Sequence, residues 1–235
     1  MMYIYIWNIA EVNMDKYQGV IERLHAIRKD KIQVRKQKAD KDRTLAAGLL
    51  LKKAFKDLHL EYDKTEFYLD KNGKPFCDAG IKYNISHSGD RIMLIISSED
   101  CGCDVQLIKK GISVDRLPLS HMTEDERESI GREGIIAFFR IWALKESYVK
   151  MTGEGLGRDF RTFSALCPDD NVISESLDVS RFESCGSDPY TEYVNKDQED
   201  PGRVCDEYVY AYCINNKDKL NHERDVHIRY ITGDL

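Results

Sequence analysis

FFRIWALKESYVK, residues 138–150, carries a clear helix pattern, and the architecture predicted for the chain follows from it. Its apolar side chains recur with helical spacing and share one arc, formed by Ile135, Phe139, Trp142 and Ala143. Glu146 falls in the middle of that arc, and Lys150 follows one turn later. A carboxylate centred on an apolar face needs a cationic partner, either Lys150 or a metal ion. An exposed Glu–Lys pair is the alternative.

The periodicity of the remaining chain predicts an α+β protein. Strands are expected at residues 2–9, 67–69, 83–85, 91–97, 101–108, 160–164 and 208–214, and helices at residues 14–27, 40–58, 123–129 and 134–151. The turn at residues 70–73, Asp-Lys-Asn-Gly, is typical of a hairpin. Residues 188–203, rich in charge and interrupted by Pro189 and Pro201, are expected to form a surface excursion.

Helix and strand segments follow one another twice along the chain, although no strict sequence repeat is present. This order predicts a pseudo-dimer of two similar α/β halves, each a small antiparallel sheet packed with a long helix. The expected halves are residues 1–103 and 104–235.

Composition narrows the class of protein. With 235 residues, 42% hydrophobic and 32% charged, the chain is typical of a soluble globular protein, and its net charge of -6 argues against nucleic-acid binding. Between Arg28 and Arg43, however, eight Lys or Arg residues face only three Asp. This segment indicates a site for one anionic ligand, and a solvated helix face is the alternative.

The cysteines predict the compartment. There are seven, an odd number with apolar neighbours, and no segment resembles a signal peptide or a zinc site. Reduced thiols in the cytoplasm are therefore expected. The apolar run at residues 3–7 is too short to span a membrane, so no membrane contact is expected.

Two polar motifs interrupt the predicted strands. Asn-Ile-Ser-His-Ser-Gly, residues 84–89, brings hydroxyls and an imidazole to a loop mouth, where they could donate hydrogen bonds to phosphate. A structural role for His87 is the alternative, and serine hydrolase chemistry lacks the G-x-S-x-G motif. In Cys-Gly-Cys-Asp-Val-Gln, residues 101–106, Asp104 and Gln106 share one strand face. A metal ion would compensate the charge of Asp104, and a cap at a frayed strand end is the alternative.

Together these motifs resemble a known family. G-K-P at residues 73–75, N-I-S-H-S at 84–88, G-x-D at 102–104 and W-x-x-K-E-x-x-x-K-x-x-G-x-G-L at 142–156 look like the 4′-phosphopantetheinyl transferase superfamily. Length and N-terminal half resemble its pseudo-dimeric Sfp type, which activates surfactin synthetase. The resemblance implies a monomeric enzyme that transfers 4′-phosphopantetheine from coenzyme A to a serine of acyl, polyketide or nonribosomal-peptide carrier proteins. Adenosine 3′,5′-bisphosphate would be released, and Mg²⁺ would be required.

The resemblance also implies roles for individual residues. Asp104 and Glu146 would bind Mg²⁺, and these two with Lys150 would be catalytic, with Glu146 as the base. Lys145 and Lys150 would neutralise phosphate charge, and His87 with Ser86 would contact a phosphate. The nucleotide end would be held by Arg28, Lys31, Arg43, Thr44, Lys74 and Pro75. Glu126 matches a glutamate near the metal. Residues 1–103 would thus supply the nucleotide contacts and residues 104–235 the metal and catalytic groups, with the active site at their interface.

One departure from the family pattern leaves alternatives open. Many relatives have D-x-E where this chain has Asp104-Val105-Gln106. Gln106 could coordinate weakly or through a water, or the chain could be a non-catalytic coenzyme A-binding or carrier-docking protein. A metal-dependent phosphohydrolase is a further alternative without a matching motif. The carrier is expected along residues 109–122, on the apolar Leu117, Leu119 and Met122 and the basic Lys109, Lys110 and Arg116.

Overall fold

Two sheets and two long helices form the framework. The computed structural model describes residues 2–108, 111–155, 157–166, 172–177, 190–195, 208–215 and 226–235. The strands are β1 (Met2–Asn8), β2 (Phe67–Leu69), β3 (Pro75–Cys77), β4 (Lys82–Ser88), β5 (Arg91–Ser97), β6 (Cys101–Leu107), β7 (Val172–Leu177), β8 (Tyr190–Asn195), β9 (Tyr208–Asn215) and β10 (Val226–Thr232). The α-helices are α1 (Ala26–Gln33), α2 (Lys38–Asp57), α3 (Glu124–Glu133) and α4 (Ile135–Thr152).

A five-stranded sheet with the order β4-β5-β1-β10-β8 lies at the centre. The pair of β1 with β10 is parallel, and the other three pairs are antiparallel. Side chains alternate along β1, as a strand requires. Tyr5 and Trp7 join the core beneath α2, whereas Ile4 and Ile6 face the second sheet.

The second sheet is three-stranded, with the order β6-β9-β7 and antiparallel pairing. One face packs against the first sheet through residues such as Cys103 and Tyr212. The other face packs against α4, and Ala211 and Ile141 belong to the buried cluster between them. The described elements therefore form layers in the order helix, sheet, sheet, helix.

The predicted fold class is confirmed, since small, largely antiparallel sheets pack with long helices. The hairpin at residues 70–73 joins β2 to β3. The pseudo-dimer and its boundary stay predictions. Residues 103 and 104 both lie inside β6, and β10 of the second half pairs with β1 of the first.

Three local predictions were wrong. Residues 14–27 form a 3₁₀ segment (Met14–Arg23) and then α1, because Leu24 is extended and buried. Residues 160–164 were predicted as a strand, but Phe160–Thr162 is a 3₁₀ turn whose N-cap, Asp159, accepts from the backbone N–H of Arg161. Within the predicted surface excursion, Tyr190–Asn195 is a strand of the central sheet. No described helix has the length and apolarity needed to cross a bilayer.

Candidate functional site

Asp104 and Lys150 form the centre of the site. Asp104 is 2% exposed, and its Oδ1 lies 2.5 Å from Lys150 Nζ and accepts a hydrogen bond from Ser86 Oγ at 2.7 Å. Gln106 donates its amide N–H to the other oxygen, Oδ2, at 2.6 Å. Burial lowers the pKa of Lys150, but the charge and hydrogen bond of Asp104, together with Cys103 and Glu146, outweigh burial, so the pKa is raised. Lys150 therefore remains an ammonium and compensates the buried Asp104 charge.

Gly102 explains why β6 and α4 approach so closely. A Cβ at this position would collide with the backbone oxygen of Ser147 and the backbone nitrogen of Met151. Only a glycine lets the strand lie directly on this turn of the helix. Asp104, two residues farther along β6, points to the same face and reaches Lys150.

Glu146 lies one turn before Lys150 and is half-buried. Desolvation raises the pKa of its carboxyl; Lys150 opposes this increase, and the negative charge of Asp104 adds to it. The two predicted carboxylates thus lie close enough to repel each other. Mg²⁺ usually takes one or two carboxylates together with phosphate oxygens and waters, so this donor pair fits it. In the described part of the chain no three His, Cys, Asp or Glu side chains form a metal cluster, and Gln106 turns its nitrogen, not its oxygen, to Asp104.

Lys145 does not have the predicted position at a phosphate. Its side chain is fully buried, and Nζ pairs with Glu126 Oε1 at 2.9 Å. The ammonium also donates to the carbonyl oxygens of Phe160 and Phe163, at 2.7 and 2.5 Å. With three partners and no exposure, Lys145 orders the 157–166 loop and has no free donor for a ligand.

Glu126 serves the same loop. Its Oε1 accepts from the backbone N–H of Ala165 at 2.7 Å, and its Oε2 accepts from that of Thr123 at 2.9 Å. The second bond closes a capping box at the start of α3. The role of Glu126 near a metal stays a prediction, and its observed partner is Lys145.

An open pocket of about 500 Å³ lies beside Glu146. It is lined by Ser120, His121, Trp142, Glu146, Arg158, Asp159, Phe160 and Arg161. Since the 157–166 loop forms one wall, the Lys145–Glu126 pair also shapes this pocket. No sequence pattern indicated it, because its walls come from three separate segments.

Two of the predicted nucleotide contacts, Arg28 and Lys31, lie on α1. Arg28 is 7% exposed, and its Nε has no hydrogen-bond partner among the described residues. Desolvation, followed by the charges of Arg28 and Arg35, lowers the pKa of Lys31. Neighbouring positive charges without a counter-ion repel one another, and a bound anion would remove this repulsion. We call Arg28, Lys31 and Arg35, with Arg43, the basic cluster.

His87 lies at the edge of the basic cluster. Desolvation and then four neighbouring cations lower its pKa from 6.5 to about 4; these cations are Arg43, Arg28, Lys150 and Arg35. His87 is nonetheless exposed, so a ligand could reach it, and an anion beside it would offset the charges of these cations. Arg43 bonds to Asp40 at 2.6 Å and to the Gly89 carbonyl at 3.3 Å. The structure therefore brings Arg28, Lys31, Arg43 and His87 together, near Lys150.

Other predicted contacts have different surroundings. Thr44 is buried and donates to the Asp40 carbonyl. Lys74, followed by Pro75 in β3, donates to the Met151 carbonyl at 2.7 Å, at the C-terminal end of α4. Their roles toward a nucleotide stay predictions.

The expected carrier surface is partly wrong. Met122 is 1% exposed and belongs to the core under α4, so it has no surface to offer a partner. Leu117 and Leu119 pack partly on that core, and Arg116 is exposed. Lys109 and Lys110 lie outside the described residues.

Comparison with known proteins places the chain in a family. The sequence model described as the 4′-phosphopantetheinyl transferase superfamily matches residues 100–213, which include Asp104, Glu146 and Lys150. The 4′-phosphopantetheinyl transferase AcpT of Salmonella typhi is 32% identical over 155 residues, which cover 63% of this chain and 77% of that protein. This chain belongs to the 4′-phosphopantetheinyl transferase superfamily.

Two other members of the 4′-phosphopantetheinyl transferase superfamily extend the comparison. A 4′-phosphopantetheinyl transferase of Bacillus subtilis is 30% identical over 60% of this chain and 65% of its own length. The transferase Sfp of Bacillus subtilis strain 168 is 26% identical over 77% of each chain. The match thus spans just under two thirds of the first of these two relatives. The resemblance read from the motifs is confirmed, including the link to Sfp.

Proposed function

We propose that this chain transfers the 4′-phosphopantetheine group of coenzyme A to a serine of a carrier protein and releases adenosine 3′,5′-bisphosphate. Membership of the superfamily supports the reaction class. The observation that carries the proposal is the meeting of Asp104, Glu146 and Lys150 beside the basic cluster and His87. Carboxylates that can hold a metal ion and clustered cations are the two kinds of group that a bound diphosphate requires.

The basic cluster would hold phosphate. Coenzyme A carries a diphosphate and a 3′-phosphate, and Arg28 keeps a buried Nε–H without an acceptor among the described residues. A phosphate oxygen would satisfy that donor with a charge-assisted hydrogen bond. The same anion would relieve the repulsion that lowers the pKa of Lys31.

Mg²⁺ is part of the proposal. Asp104 and Glu146 would hold it, and Gln106 could contribute its amide oxygen only after its side chain rotates. When bound, the ion would neutralise charge on the diphosphate. Lys150 would then be free of its contact with Asp104 and could donate to a phosphate oxygen.

Glu146 is the proposed general base. Its carboxyl lines the open pocket, so it could receive a proton there directly or through a water. The serine hydroxyl would give its proton to Glu146 while its oxygen bonds to the phosphorus that carries the pantetheine arm. The bond from that phosphorus to the bridging oxygen would break, leaving the electron pair on adenosine 3′,5′-bisphosphate.

The test uses intact mass. The full chain is incubated with coenzyme A, Mg²⁺ and a panel of apo fatty-acid, polyketide and nonribosomal-peptide carriers. We expect a phosphopantetheine-sized gain on at least one carrier, and comparison of kcat/KM across the panel identifies the preferred class. Asp104→Asn and Glu146→Gln should abolish the gain, whereas the exposed Asp63→Asn and Glu128→Gln should retain it. No gain on any carrier would contradict the proposal.

A coenzyme A-binding protein without catalysis is a second candidate. It is favoured by Gln106, which occupies the place of a possible third carboxylate and holds Asp104 through its nitrogen. Calorimetry separates the two: binding of coenzyme A that does not change with Mg²⁺, without transfer to any carrier, would support this candidate.

Compartment and carrier surface complete the proposal. Cys77, Cys101, Cys103 and Cys213 are free thiols, which supports a reducing cytoplasm. For an acidic carrier helix we propose contacts with Leu117, Leu119 and the exposed Arg116. Arg116→Glu should raise the KM for the carrier and leave that for coenzyme A unchanged; an unchanged carrier KM would remove this surface.

A further inference from the structure

The edge of β6 is covered by side chains instead of a neighbouring strand. In the described sheet β6-β9-β7, β6 is an outer strand. Three of its N–H groups donate to β4: Cys103 N to Asn84 Oδ1 at 3.0 Å, Val105 N to Ser86 Oγ at 3.4 Å, and Leu107 N to Ser88 Oγ at 3.0 Å. We call these three pairs the β4–β6 joint.

The spacing of the joint follows from strand geometry. Alternate side chains of a strand point to one side, so Asn-x-Ser-x-Ser places three acceptors in a row. Alternate N–H groups of an outer strand likewise point away from its sheet. A buried N–H without an acceptor costs roughly 1–3 kcal/mol, so three short polar side chains here replace a missing backbone ladder.

Ser86 connects the joint to the candidate site. Its hydroxyl donates to Asp104 Oδ1 at 2.7 Å and accepts from Lys150 Nζ at 3.1 Å and from Val105 N at 3.4 Å. A hydroxyl has one donor and two acceptor positions, and all three are used. The O–H of Ser86 is therefore fixed toward the carboxylate.

The neighbours of β6 leave the strand little freedom. On one side Gly102 touches the backbone of α4, where a Cβ would collide. At the far end of the joint, Gly89 leaves no room for a Cβ beside the hydroxyl of Tyr208 and the side chain of Leu107. Asp104 lies between these two contacts, so a shift of the β6 edge would move its carboxylate.

We propose that Asn84, Ser86 and Ser88 are positioning residues, which hold the edge of β6 so that the Asp104 carboxylate keeps one orientation toward Glu146. This inference rests on the proposed function. It differs from the predicted role of Ser86 at a phosphate, because the joint acts through the backbone of β6. Ser88 is the best residue for a test, because its hydroxyl accepts from the backbone N–H of Leu107 at the end of the joint. Ser86, in contrast, contacts Asp104 and Lys150 directly.

The test compares Ser88→Ala with Ser88→Thr, which keeps the acceptor. Ser97→Ala is the matched control, because Ser97 also accepts from a backbone N–H, that of Glu99 in the turn after β5, and not from an N–H within β6. Amide hydrogen exchange at Leu107 reports the joint directly. Mn²⁺ binding, followed by the electron paramagnetic resonance signal of free Mn²⁺, reports the carboxylate without any turnover.

We expect Ser88→Ala to speed exchange at Leu107 about tenfold and to weaken Mn²⁺ binding about threefold, a modest form of the effect of groups that orient metal ligands. Ser88→Thr and Ser97→Ala should resemble wild type in both measurements. Faster exchange with unchanged Mn²⁺ affinity, or no change in exchange, would overturn the inference. Absence of Mn²⁺ binding by the wild-type chain, with Leu107 protected, would instead count against the proposed function.

Discussion

Lys145 Nζ lies 2.9 Å from Glu126 Oε1, and neither side chain has any exposed surface. Burial lowers the pKa of Lys145, while the hydrogen bond and the charge of Glu126 oppose that decrease. The pair joins α3 to α4 and, through the carbonyls of Phe160 and Phe163, holds the loop beside Glu146. The pair therefore connects the packing of α3 on α4 to the shape of the candidate site.

Lys145→Met should lower the free energy of unfolding by about 3–5 kcal/mol, because Glu126 would stay buried without its cation. Urea unfolding measures this change. The exposed pair of Lys64 and Glu61 provides the control, and Lys64→Met should leave the urea midpoint nearly unchanged. Equal effects of the two substitutions would show that the buried ion pair contributes no more to stability than the exposed one.

Gly102→Ala should destabilise the protein by about 2–3 kcal/mol or more, since the new methyl group meets the backbone of α4. The matched control is Gly131→Ala in α3, where the added methyl group would have no neighbouring atom within 4 Å. That change should raise stability by about 0.5–1 kcal/mol. Thermal unfolding of both variants tests the prediction, and the two shifts must have opposite signs.

The imidazole of His87 should titrate near pH 4 in the free protein and at a higher pH with coenzyme A bound, because an anion offsets the surrounding cations. The depressed pKa means that the unfolded chain, with a pKa of 6.5, binds more protons than the folded one between pH 6.5 and about 4. The contribution of His87 to stability is thus lost as the pH falls through that window.

Proton resonances of the histidine rings measure this titration. His25, whose pKa is lowered to about 4 by burial and then by the charges of Arg28 and Lys31, is a second reporter. It stacks on Phe67 with ring centroids 4.1 Å apart, so its shift with coenzyme A should be smaller. An unchanged His87 pKa at saturating coenzyme A would show that no phosphate binds beside it.

Lys74→Met should lower the free energy of unfolding by about 1 kcal/mol, since the ammonium group no longer serves the carbonyl end of α4. Lys71→Met, at an exposed position of the same turn, is the control and should have little effect. Coenzyme A affinity, measured on both variants, decides the separate question of nucleotide contact. A weaker affinity only for Lys74→Met would support the predicted nucleotide role.

The sequence was most informative where local periodicity controls the structure. Short apolar runs predicted β5 and β6, with one residue too many at the end of β6, and helical spacing predicted α4 to within one residue at each end. The sharing of a metal ion by Asp104 and Glu146 stays a prediction. The ion pair of Asp104 with Lys150 was not predicted, because the pattern of α4 assigned Lys150 to Glu146. The basic cluster followed from charge pattern alone.

The sequence was least informative where the position of a side chain depends on a partner that is distant in sequence. Glu146 was predicted to be the buried charge of α4, but it is half-buried and its neighbour Lys145 is fully buried. The reason is Glu126, on another helix, whose register cannot be read from α4. The turn at residues 160–164 was mistaken for a strand for a similar reason. Its carbonyl groups accept hydrogen bonds from Lys145, a partner distant in sequence. Likewise, the sequence showed the polar side chains of β4, but it did not show that they accept hydrogen bonds from the backbone N–H groups of β6.

The parallel pairing of β1 with β10 has a consequence for how the molecule is made. Trp7, at the end of β1, donates to the Gly233 carbonyl across a sequence separation of 226 residues. A ribosome delivers the first of these strands long before the second, so a nascent chain carries one open, apolar strand edge until β10 has been made. Pairing over so great a distance folds slowly, and this edge is where a chaperone would be needed.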